Sequence, residues 1–102
     1  MNPDILSEID LGDVVKTTAG RDQGKLFYVI HVEDAYVMLA NGKDRTLDRP
    51  KHKKRKHIEK VLRSETRVAD KLRLGDKVLN GELRRDLAFF EPGVQADNLG
   101  GF

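Results

Sequence analysis

From Gly12 to Ala40 short runs rich in β-branched and other apolar residues are separated by turn residues, so the first half of the chain reads as strands joined by turns rather than as helices. Asp13 to Thr18 carries the β-branched residues Val14, Val15, Thr17 and Thr18, which suit a pleated surface. Lys25 to Glu33 sets Leu26, Tyr28, Ile30 and Val32 on one face and Phe27, Val29 and His31 on the other. Apolar residues on both faces predict a central strand buried on both sides. Asp34-Ala35 makes a turn, and Tyr36 to Ala40 is a third apolar run. Asn41-Gly42 then predicts a type I′ hairpin, because both central residues of that turn need positive φ. A fourth strand is therefore expected at Asp44 to Asp48. Pro50 lacks an N–H and interrupts the pairing, and His57 to Leu62, with Ile58 and Val61, predicts a last short strand.

Several short antiparallel strands joined by tight turns favour a small SH3-like barrel over residues 10–62, since closing a sheet removes its unpaired edges. From Arg63 the period lengthens. Ser64 is the expected cap of a first helix, with Glu65 in its first turn, Val68 and Leu72 on one side and Gly75 at its end. Asn80 is the expected cap of a second, with Glu82 near the positive end of the helix dipole and Pro92 as the stop. Leu83, Leu87 and Phe90 form one apolar stripe that must bury against the barrel or a partner. Residues 1–9 read as an N-terminal arm, residues 63–90 as two short helices, and Glu91 to Phe102, with Gly93, Gly100 and Gly101, as a disordered tail. The expected fold class is mainly β, a small barrel with a short helical C-terminal extension.

Composition narrows the functional classes. Charged residues make up 35% of the 102 and hydrophobic ones 38%, which predicts a small core and a heavily charged surface. The absence of Cys removes disulfides, thiolate nucleophiles and cysteine-ligated zinc. Asp4, Glu8 and Asp10 stand where a secretory signal would need a basic start and an apolar stretch. No apolar run approaches the roughly 18 residues of a membrane span, so a soluble, cytoplasmic chain is expected. The net charge of +2 conceals an asymmetry: residues 1–48 hold five basic and nine acidic side chains, residues 49–60 seven and one, and residues 61–102 seven of each. The positive excess sits in one block, the electrostatic footprint of a polyanion partner.

Two segments carry the candidate chemistry. Gly20-Arg21-Asp22-Gln23-Gly24-Lys25 joins two predicted strands, and its glycines suit positive φ. Backbone bared by glycine beside Arg21 and Lys25 can approach a phosphate closely. A nucleotide-binding P-loop is excluded, because only three residues separate the glycines and Leu26 follows the Lys. The second segment, Arg49-Pro50-Lys51-His52-Lys53-Lys54-Arg55-Lys56-His57, cannot enter a core, since burying unpaired ammonium groups is too costly, so it faces solvent or an anion. Five of its charges on phosphates would give a log-log salt slope of about −3.5 on single strands.

Phe27, Tyr28 and Tyr36 read first as core; Tyr36, near a loop, is the best placed to stack on a base. His31, His52 and His57 have no metal-ligand spacing, and His52 and His57 are embedded in positive charge. Asp44 and Asp48 read as surface charges on a hairpin. No nucleophile has a base in reach, so neither an enzyme nor a cofactor or metal site is expected.

Leu11-Gly12-Asp13-Val14-Val15, then Gly20 to Lys25, then Val29-Ile30-His31-Val32 resemble the KOW motif of ribosomal proteins and transcription elongation factors. With the segment Arg49 to Ile58, the chain resembles bacterial KOW-domain RNA-binding proteins that are similar to a large-subunit ribosomal protein group of archaea and eukaryotes. The resemblance spans residues 10–62. It implies an SH3-like barrel, a motif loop at Gly20, Arg21, Asp22, Gln23, Gly24 and Lys25 that touches RNA or protein, and an RNA contact along Arg49, Lys51, His52, Lys53, Lys54, Arg55 and Lys56. Gln23 stands where the motif usually has Lys, so the weight falls on the basic segment. The expected function is RNA binding by shape and charge, with ribosomal RNA as partner. The alternative is a protein-interaction module that docks on a ribosomal or transcription-machinery protein.

Overall fold

The computed structural model describes residues 8–91; the expected tail from Pro92 onward and most of the expected N-terminal arm lie outside them. Five strands form one antiparallel sheet: β1 Asp13–Thr17, β2 Leu26–Val32, β3 Tyr36–Ala40, β4 Lys51–Lys54 and β5 Ile58–Arg63, in the order β4-β3-β2-β1-β5. Two helices follow, α1 Arg67–Leu74 and α2 Asn80–Phe90. Among the described residues no pairing joins β4 to β5, so the sheet is not closed. A single 3-10 turn, Arg55–His57, nevertheless connects these two edge strands. Three residues span little more than 10 Å, so the sheet must curl to bring its edges together. Arg55 N–H donates to Ala35 O at 3.0 Å and Thr18 N–H to His57 O at 2.8 Å, tying the turn to both sides of the curl.

β2 is the central strand that alternation predicts, and Phe27, Tyr28 and Val29 are all fully buried. Val14, Tyr28, Ala40, Val68, Ala69, Leu83 and Leu87 pack on the helix side of the sheet. Ile9, Val15, Phe27, Val29, Val37 and Leu39 pack on the other. One placement differs from simple alternation. The β2–β3 register shifts between Val29 and His31, which moves Val32 to the side of Phe27 and turns exposed His31 to the opposite one. A one-residue bulge inverts the facing of everything beyond it.

The expected fourth strand at Asp44 to Asp48 is not formed. Asn41 is not at positive φ, so the type I′ hairpin is absent. Instead Asn41 Oδ1 accepts from the N–H of Lys43 and of Arg45, both at 3.0 Å. That local closure satisfies the backbone groups a ladder would have used. Gly42 and Leu47 are then captured by the helices: Arg84 Nη1 donates to Gly42 O at 2.7 Å, and Leu47 N–H donates to Asn80 Oδ1 at 2.8 Å. The strand partner of β3 is supplied by the basic segment itself, with Tyr36 opposite Lys54 and Leu39 opposite Lys51.

Both helix starts shift from their expected caps for a visible reason. Ser64 Oγ lies 2.8 Å from the Tyr28 hydroxyl, so the cap of α1 falls to Thr66, whose Oγ1 accepts from Ala69 N–H at 3.2 Å. Asn80 spends its side chain on Leu47, and Glu82 accepts from Leu79 N–H at 3.0 Å instead. Gly75 ends α1 at φ +76 as expected. Leu83 and Leu87 are buried and Phe90 packs against them, so the stripe of α2 is covered by the chain's own sheet. Asp86 joins the helices to it: Tyr28 and Thr66 hydroxyls donate to Asp86 Oδ2, the latter at 2.6 Å. Burial, and then this carboxylate, push the Tyr28 hydroxyl up to about 12. Among the described residues, no helix is long and apolar enough to cross a membrane.

Candidate functional site

Strand alternation divides the basic segment between two jobs. Lys51 and Lys53 stand opposite Leu39 and Val37 and therefore point to the side of Phe27, across the curl to the loop between β1 and β2. Lys51 Nζ reaches Asp22 Oδ2 at 3.0 Å, and Lys53 Nζ donates to Ala19 O at 2.9 Å. His52 and Lys54 stand opposite Met38 and Tyr36 on the other side and are exposed. The expectation that the run faces solvent or an anion is met at Lys51 by the chain's own Asp22: the Lys51 side chain is 18% exposed and paired with that carboxylate.

The loop is preformed. Gly20 and Gly24 sit at φ +89 and +86, as their positions require, and a Cβ at Gly20 would come within 3.2 Å of Lys53 Nζ. Thr17 Oγ1 donates to Asp22 O, Gly24 N–H to Thr17 O at 2.8 Å, and Lys25 N–H to Asp22 O at 3.0 Å. These bonds turn the Asp22 carboxylate inward, where it is buried and meets Lys51, Lys25 at 3.7 Å and Arg45 at 3.9 Å. Lys25 also pairs with Asp44 at 3.1 Å. Asp22 is a hub that sequence reasoning treated as one loop position among six; its signal is a lone acid between two glycines in a basic neighbourhood.

The hydrogen bond from Lys51, aided by Lys25 and Arg45, holds the Asp22 carboxyl below its ordinary 3.8 against the opposing effect of burial. A carboxyl whose folded-state value is depressed stabilises the fold above its unfolded value and loses that contribution as pH falls through the folded one. The loop-to-β4 clamp should therefore weaken below about pH 4. Urea midpoints measured against pH should show wild type more stable than Asp22→Asn at neutral pH, with the difference shrinking on acidification. A difference independent of pH would show that the clamp is not ionic.

The remaining cations sort by partner. His52 Nε2 lies 2.7 Å from Glu33 Oε1, and Arg55 Nε and Nη2 donate to Glu33 O at 3.2 and 3.0 Å. Lys60, counted in the basic block, turns to the buried Asp13 at 3.2 Å. The side chains of Arg21, Lys54 and Lys56 make no ion pair or hydrogen bond among the described residues, and exposed Arg49 lies near only Asp48, whose carboxyl it helps to lower. Arg21, Lys25, Lys43, Arg45, Arg49, Lys51, Lys53, Lys54, Arg55 and Lys56 are ten cations against the five anions Asp22, Glu33, Asp34, Asp44 and Asp48. Residues 21–56 therefore keep a surplus of positive side chains after internal pairing. Among the described residues no group of His, Asp and Glu could hold a metal ion.

No protein-family model matches the chain, and no curated protein matches it either.

Proposed function

We propose that this chain is an RNA-binding module of the KOW type, a small SH3-like barrel that grips the phosphate backbone by charge and shape, with ribosomal RNA as its partner in the cytoplasm. The curled five-stranded sheet, with its edge strands joined by one short turn, supports the barrel. The positive-φ glycines that open and close the Gly20 to Lys25 loop support the motif. The observation that carries the function is the surplus of cations left after internal pairing, above all Arg21, Arg49, Lys54 and Lys56. Such a surplus repels itself unless a polyanion neutralises it. The protein-docking alternative used the barrel together with the Leu83, Leu87 and Phe90 stripe; Leu83 and Leu87 are buried and Phe90 is partly buried against the same core, so the stripe gives that alternative little support.

Pairing also revises the magnitude. With Lys51 committed to Asp22, about four rather than five cations are free to displace counterions, so the log-log salt slope on single-stranded RNA should be near −3. Affinity measured by fluorescence anisotropy from low to moderate salt tests this. A slope near zero at measurable affinity would rule out recognition of the backbone by charge.

A further inference from the structure

We propose that the sheet face around Tyr36 is a stacking subsite for one unpaired nucleotide of single-stranded RNA. The inference rests on the RNA-binding reading and adds to it which form of RNA is preferred.

The register places His31, Met38 and His52 in one row across β2, β3 and β4, with Tyr36 and Lys54 paired in the next. This is the side of the sheet on which the helices pack, yet the helix-side core ends at Ala40 on β3. His31, His52 and Lys54 are exposed, and Tyr36 and Met38 half-buried. The Tyr36 and His52 rings are stacked, with centroids 4.6 Å apart and planes 25° apart. Glu33 holds the imidazole at 2.7 Å, so Tyr36 is backed by a ring that is itself fixed. Such a platform loses little side-chain freedom when a ligand arrives.

Next to it lies an open depression of about 450 Å³ lined by Ala35, Tyr36, Lys54, Arg55 and Lys56. An aromatic ring and cations lining one hollow match the two halves of a nucleotide, a flat π-system and a phosphate. Arg55 is tied to Glu33 O and shapes the wall, while the side chains of Lys54 and Lys56 have no ion-pair or hydrogen-bond partner among the described residues and can meet phosphate. A base in a duplex keeps its faces against its neighbours, so only an unpaired one can lie on Tyr36. Stacking of this kind tolerates any base.

The test compares the full chain with Tyr36→Ala, Tyr36→Phe and a Lys54→Gln/Lys56→Gln double variant, on a short oligoadenylate and on an RNA duplex of matched phosphate number. Tyr36→Ala should lose about tenfold in affinity for the single strand and almost nothing for the duplex, with Tyr36→Phe close to wild type. Oligoadenylate carrying 2-aminopurine should be quenched on binding to the unaltered protein, a readout that needs no variant to fold. If Tyr36→Ala binds both RNAs as wild type does, or the probe is not quenched, the subsite is refuted. The lysine variant separates the two levels: weakened binding to both RNAs leaves the backbone reading standing, and undiminished binding overturns it together with the subsite.

Discussion

Replacing Arg21, Arg49, Lys54 and Lys56 together by Gln should lower the affinity for single-stranded RNA on the order of a hundred- to a thousandfold near 0.1 M salt, and flatten the salt slope by about three. Each of these side chains is exposed and comes from a different element: the loop after β1, the loop before β4, the end of β4 and the 3-10 turn. Among the described residues, none of these side chains has an ion-pair or hydrogen-bond partner apart from the proximity of Arg49 to Asp48. Stability should consequently change little, because surface substitutions away from packed or paired groups fall within about 0.5 kcal/mol. Lys51→Gln is the contrasting case. Its ammonium is the first cause of the lowered Asp22 carboxyl, and its loss leaves a buried acid with only the more distant Lys25 and Arg45. That variant should lose stability, with a smaller effect on RNA affinity. If the fourfold variant keeps wild-type affinity and slope, the surplus charge serves something other than RNA.

The contrast also marks how far the sequence could be read. The strands at Asp13 to Thr17, Leu26 to Val32 and Tyr36 to Ala40 were legible because short β-branched and apolar runs stand between turn residues. So were Gly20, Gly24 and Gly75, whose positive φ follows from turn and cap chemistry. The basic segment misled in one respect. Charge density said that it must remain outside, but its alternation, Lys51 and Lys53 against His52 and Lys54, is that of an edge strand whose charged side chains also guard the edge. Nothing local distinguishes a lysine whose anion comes from RNA from one whose anion comes from Asp22, 29 positions earlier. Asn41-Gly42 failed in part for the same reason. Its turn preference yielded to the closure of the Asn41 side chain on the N–H of Lys43 and Arg45, and to long-range bonds with Arg84 and Asn80 that no window around residue 42 contains.

Those long-range bonds make Gly42→Ala the most damaging single small substitution expected here, with a loss of about 2–5 kcal/mol. Two costs combine. Gly42 lies at φ +77, where a Cβ costs about 1–2 kcal/mol. The added methyl would also stand 2.1 Å from the backbone oxygen of Asn80 and 3.2 Å from the side chain of Arg84. The first of these is backbone in the opening turn of α2, which cannot swing aside as a flexible side chain would, so overpacking adds about 1–3 kcal/mol. Gly75→Ala separates the terms: it shares the left-handed conformation at φ +76 but has nothing within 4 Å of the new methyl, so only the conformational cost applies. Urea unfolding should place the Gly42→Ala midpoint well below that of Gly75→Ala. Equal midpoints would mean that α2 yields to the methyl, and that the helix does not fix the loop before β4. If α2 does fix it, the fully folded fraction of Gly42→Ala should still bind RNA more weakly than wild type, because Arg49 and the first residues of β4 hang from that loop. The helices would then act on the basic face without touching it, by holding the ten residues between β3 and β4 in one conformation.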